Sequence, residues 1–100
     1  MFRKSRRRIV WDEAAKRQAL TKIDALPRLY EVIKNFEWLL ERHPENEYAE
    51  RLDEKYWLIK SDSLYIPHRA AFPMVTLIYF FDDETVTFWD MRIEAPRSGV

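Results

Sequence analysis

Met74-Val75-Thr76-Leu77-Ile78-Tyr79-Phe80-Phe81, then Asp82-Asp83-Glu84-Thr85, then Val86-Thr87-Phe88-Trp89-Asp90-Met91-Arg92-Ile93 is the stretch that decides the fold class. Two runs rich in β-branched and aromatic residues flank four polar ones, the pattern of a β-hairpin with a polar turn. The first arm is nearly all apolar, which predicts a central strand buried on both faces. The second alternates, with Val86, Phe88 and Asp90 against Thr87, Trp89 and Met91, so one of its faces is expected to meet a core.

Upstream of the hairpin, residues 62–73 carry Pro67 and Pro73 and predict a long ordered loop or an irregular edge strand. Before that, Tyr56-Trp57-Leu58-Ile59 is again β-prone, while residues 45–55 are acidic and weakly periodic, a short helix or a polar connection. Earlier the period becomes helical. Leu29, Tyr30, Ile33, Phe36, Leu39 and Leu40 recur at three- and four-residue spacing before Arg42-His43 and the stop at Pro44, which predicts a sheet-covering helix over 27–42 that opens at Pro27. Asp12 is a good N-cap for Glu13-Ala14-Ala15, and Ala15, Ala19, Leu20 and Ile23 form a modest apolar stripe, so a first helix is expected over 12–23. Arg8-Ile9-Val10-Trp11 reads as a short strand leading into it. The sum is an α+β fold: two N-terminal helices packed on a small antiparallel sheet, in one domain spanning 1–100 with a basic tail over 1–8.

Composition narrows the chemistry. The chain has 100 residues, 47% of them hydrophobic, and one glycine, which is a folding composition and not a disordered one. It has no cysteine, which excludes cysteine hydrolases, thiol redox enzymes and thiolate zinc sites. Gly99 is the sole glycine, so no glycine-rich phosphate loop can form, and His43 and His68 are too few and too far apart in sequence to suggest a metal. No cofactor is expected. The basic start is not followed by an apolar run and the longest such run ends at Phe81, so a soluble, unexported, cytoplasmic protein with no membrane partner is expected. Formal net charge is zero, yet Arg3, Lys4, Arg6, Arg7 and Arg8 crowd the start while residues 37–54 hold seven acids against Arg42 and Arg51. That asymmetry allows a local contact with an anion without a globally basic protein; a solvated tail is the plainer reading.

The order of strand, two helices and a run of strands ending in an acidic-turn hairpin resembles the RelE/ParE superfamily of toxin-antitoxin toxins. Three segments carry the likeness. Ile9-Val10-Trp11-Asp12-Glu13-Ala14-Ala15 looks like the family's opening strand entering its first helix, and Tyr56-Trp57-Leu58-Ile59 like its second strand. Leu77-Ile78-Tyr79 with Asp82-Asp83-Glu84-Thr85-Val86 looks like its third strand and the turn into the fourth, and Arg92 lies near that fourth strand's end. The resemblance implies a toxin held inactive by a cognate antitoxin protein, and in the RelE branch a ribosome-dependent messenger endoribonuclease that needs no metal.

Cleaving RNA in this way requires cations on the scissile phosphate and a proton donor and acceptor for the leaving 5′ oxygen and the attacking 2′ hydroxyl. Carried over by position, Lys60 and Arg92 are candidate catalytic cations and Lys55 a candidate RNA contact, with Arg6, Arg7 and Arg8 available for ribosome or RNA docking. Family nucleases commonly have an Arg early in the third strand and a Tyr in the tail; here those places read Pro73-Met74 and Ala95-Pro96-Arg97-Ser98-Gly99-Val100. His68 as acid or base and Arg69 as phosphate clamp can stand in, and an ordinary exposed His-Arg pair is the competing reading. The carboxylates at the turn suit solvation and turn formation, and the four Trp suit either base stacking or core and interface packing. Because the two family marks are missing, a ParE-like inhibitor that binds DNA gyrase without chemistry, or a non-toxic interaction domain of the same fold, stays open beside the nuclease.

Overall fold

The computed structural model describes residues 6–26, 28–61 and 72–95. Among them the chain runs β1 (Arg8–Trp11), α1 (Glu13–Lys22), α2 (Leu29–Arg42), β2 (Ala49–Arg51), β3 (Trp57–Lys60), β4 (Met74–Phe81) and β5 (Thr85–Glu94). The described strands form one sheet in the order β1-β5-β4-β3-β2, antiparallel throughout except that β1 lies parallel to β5. Both helices cover the same face.

Local chemistry accounts for the helices. Asp12 stays extended and its carboxylate accepts from the Ala14 N–H at 3.3 Å, which starts α1 at Glu13. Ala15 and Ala19 are buried, and their small side chains let α1 lie close on β5. The second helix starts two residues later than expected. Arg28 takes φ 74°, a left-handed conformation that no α-helix contains, so Leu29 is the first helical residue and Pro27 lies outside the described residues. Arg28 is held there by Glu31, 2.9 Å from its Nε, and by stacking 4.0 Å from the Phe72 ring centroid. Leu29, Val32, Ile33, Phe36 and Leu40 are buried, and the His43 N–H closes the helix on the Leu39 carbonyl at 2.7 Å, just before Pro44. Tyr30 and Leu20, expected in the core stripes, are 59% and 62% exposed because they line a groove between the helices.

The core is the space between the helices and one sheet face, where Ile59, Leu77, Tyr79, Val86, Phe88, Met91 and Ile93 meet the helical residues. Tyr79 alone among these carries a polar group, and its hydroxyl donates to the Pro44 carbonyl at 2.5 Å, tying β4 to the end of α2. Burial pushes that phenol well above the ordinary tyrosine range, so it stays a donor.

Two features of the hairpin depart from its sequence pattern. β4 is central, but only alternate residues are fully buried; Met74, Thr76, Ile78 and Phe80 are half-buried on the face away from the helices. With both helices on one side, that face stays open. In β5 the alternation changes phase: Tyr79 pairs with Phe88 and Ile78 with Asp90, so Trp89 is an extra residue, a β-bulge. Val86 and Phe88 point into the core before it, and Met91 and Ile93 after it. Residues 45–55, expected as a helix or a connection, instead supply the edge strand β2.

The hydrogen bonds of two short side chains yield two tests. The buried Ser61 Oγ accepts from the Val75 N–H at 2.8 Å and donates to the Pro73 carbonyl at 3.3 Å. Ser61→Ala orphans that buried amide and is expected to cost about 1 to 3 kcal/mol, read as a lower urea midpoint at unchanged slope. An unchanged midpoint would show that the bond contributes nothing. At the turn, the Asp82 carboxylate accepts from the Glu84 and Thr85 amides at 2.8 Å each. These bonds, with smaller help from the Thr85 hydroxyl and Arg7, hold it below the usual carboxylate value of 3.8. A depressed folded pKa stabilises the fold above the unfolded value and loses that effect as pH falls through it. The urea midpoint is therefore expected to drop as pH falls below 3.8, and to drop less in Asp82→Asn; an identical acid response in both proteins would contradict this.

Candidate functional site

The open face of the sheet gathers the candidate groups. Lys60 pairs with Thr76 and Thr76 with Arg92, so the three form one row across β3, β4 and β5. Directly paired residues point to the same side of a sheet, and the Lys60 and Arg92 backbones are two strand spacings apart, about 10 Å. Both side chains are exposed and Thr76 between them is half-buried. They border a cleft of about 610 Å³ floored by Leu58, Thr76 and Ile78, with Asp90 and Glu94 also on its rim. The Asp90 carboxylate is turned back onto the Met91 N–H at 2.9 Å, where it braces the bulge.

Sequence reasoning missed Glu50. It is exposed and pairs with Leu58, which puts a carboxylate on the open face one residue pair from Lys60. The only signal was one acid among several in an acidic segment, because the strand that aims it was not expected.

The other candidates fall elsewhere. Lys55 lies toward the hairpin-turn end of the same face, its Nζ 4.4 Å from the Phe80 ring centroid and 5.2 Å from that of Tyr56. Arg7 has structural work: its amide donates to the Glu41 carbonyl at 2.7 Å, its Nε to the Asp82 carbonyl at 2.6 Å, and its guanidinium lies 5.6 Å from the Phe81 ring centroid. The Arg8 amide donates to the Glu84 carbonyl at 2.9 Å, so Arg8 too sits at the turn end, while Arg6 is exposed beside it. The structure therefore separates the Arg6, Arg7 and Arg8 group from the Lys60–Arg92 row along the length of the hairpin. His68 and Arg69 lie outside the described residues.

Among the described residues no cluster of His, Asp and Glu is placed to hold a metal ion, and no helix is long and apolar enough to cross a membrane. Two of the four tryptophans, Trp11 and Trp57, pack against the core, and a third, Trp38, is exposed beneath a cation. Trp11 donates to the Glu37 carboxylate at 3.1 Å and meets Phe88 edge-on, Trp57 packs on the core beside Phe81, and Trp38 is covered by the Arg42 guanidinium 4.3 Å from its ring centroid.

Two N-terminal helices on one face of a mixed five-stranded sheet, with the other face open, define a RelE-like α+β fold, as the resemblance implied. A solved structure that shows it is the YoeB dimer from Staphylococcus aureus. It superposes with a TM-score of 0.61 at 15% sequence identity, covering 95% of this chain and 99% of that one. No family model and no curated protein matches the sequence.

Proposed function

We propose that the protein is the toxin of a type II toxin-antitoxin pair and cleaves messenger RNA on the ribosome, which puts its site of action in the cytoplasm. The observation that carries this reading is the Lys60-Thr76-Arg92 row on the open face of a RelE-like fold. A phosphodiester seated over Thr76 meets a cation on each side, and both oppose the charge that builds on its non-bridging oxygens. Attack by the adjacent 2′ hydroxyl forms the new P–O bond while the bond to the 5′ oxygen breaks, leaving a 2′,3′-cyclic phosphate and a 5′ hydroxyl. Glu94, on the rim of the same cleft two residues beyond Arg92 on β5, is a described carboxylate suited to take the 2′ proton; Arg69 and His68 serve as further clamp and proton donor. Sparse positive charge on this face suits a substrate already positioned by the ribosome better than free RNA.

Primer-extension mapping in a translating extract tests the reading, with a gyrase supercoiling assay beside it. Discrete cuts in ribosome-bound messenger are expected. No cleavage together with blocked supercoiling would move the protein to the ParE-like class. Expression in growing bacteria without a cognate antitoxin is expected to arrest growth, and free growth at high expression would remove the toxin reading.

A further inference from the structure

We infer that Trp89, supported by Tyr56 and Phe80, is a stacking shelf for an unpaired RNA base beside the Lys60–Arg92 row. The inference rests on the RNA reading of this face and names how the strand is gripped there. Trp89 is the bulged residue of β5, and the bulge turns its indole away from the core onto the open face, where it is 40% exposed. Tyr56 meets it at 4.8 Å between centroids, tilted by 42°, and Tyr56 in turn meets Phe80 at 5.6 Å nearly edge-on. The indole is therefore buttressed from one side and open on the other. Trp38, the other exposed tryptophan, differs: its ring is covered by Arg42, whereas among the described residues no cation lies over Trp89.

Charge placement selects the occupant. Lys55 flanks the aromatic group on one side, and Lys60 and Arg92 lie on the other, with Arg92 three residues along β5 from Trp89, about 10 Å. The carboxylates of this face stand off that line, Asp90 turned back onto the Met91 N–H, Glu50 on the edge strand β2 and Glu94 beyond Arg92 at the end of β5, so the phosphates of a single strand can meet the cations while a base lies on the ring. An apolar peptide would use the ring but bring no anion to Lys60 and Arg92.

The test compares binding of a labelled oligoadenylate of about six nucleotides with an abasic strand of equal length at low salt. Wild type is expected to prefer the base-bearing strand by about tenfold or more. Trp89→Ala should bind both strands alike, and Trp89→Tyr should keep most of the preference, each at an unfolding midpoint checked in urea. A double change of Lys60 and Arg92 to Ala should weaken both strands and leave the preference intact. Equal binding of the two strands by wild type overturns the shelf with no variant needed, as does an undiminished preference in Trp89→Ala. Cleavage without base preference removes the shelf and keeps the nuclease; base preference without cleavage does the reverse.

Discussion

Lys60→Ala combined with Arg92→Ala is expected to lower cleavage of ribosome-bound messenger by about three to five powers of ten. Each preorganised cation on the transferring phosphate contributes roughly 2 to 4 kcal/mol of transition-state stabilisation, and every 1.36 kcal/mol or so is tenfold in rate. The two flank a single residue of β4, so they act on one phosphate, and their single effects should not simply add. Both side chains are exposed and neither belongs to the core, so the double variant should fold as wild type does. Adding Arg69→Ala should lower what remains. The measurement is primer extension at matched circular dichroism, and equal cleavage by wild type and the double variant would refute the assignment.

Leu77→Asp is expected to abolish folding. Leu77 is fully buried, paired with Ile59 on β3 and Met91 on β5, at the middle of the core. Among the described residues a carboxylate there has no cationic partner on the core face, and its burial costs several kcal/mol on top of the lost apolar contacts, against a total stability of about 5 to 15. Leu77→Ala, at about 2 to 5 kcal/mol, should still fold but melt lower. Cooperative melting of Leu77→Asp near the wild-type temperature would contradict the placement of β4.

Periodicity carried much of this architecture. The repeat of Leu29, Ile33, Phe36 and Leu40 marks α2 because a helix returns a side chain to the same face every three or four residues, and those four are buried. The paired β-prone runs around Asp82 mark β4 and β5 for the same kind of reason, and the Asp82 carboxylate indeed ties the turn. Arg8-Ile9-Val10-Trp11 was legible as a strand but not as one parallel to β5, since neighbour and direction are set by where α1 and α2 return the chain. Arg7, by charge a nucleic-acid contact, is drawn into holding the turn because β1 enters the sheet beside it.

Local pattern by itself determined α1, α2, β1, β3, β4 and β5 as helix or strand, though not β2, and that Lys60 and Arg92 sit near strand ends, because those properties follow from side chains within a few residues of each other. That these two cations face each other across Thr76, with Glu50 on the same side, was decided only by tertiary structure. The bulge at Trp89 is the physical reason on β5. One extra residue inverts the facing of everything beyond it, so that Arg92 shares the open face with Asp90 while Met91 and Ile93 enter the core. No alternation count made from the turn end could have placed them so.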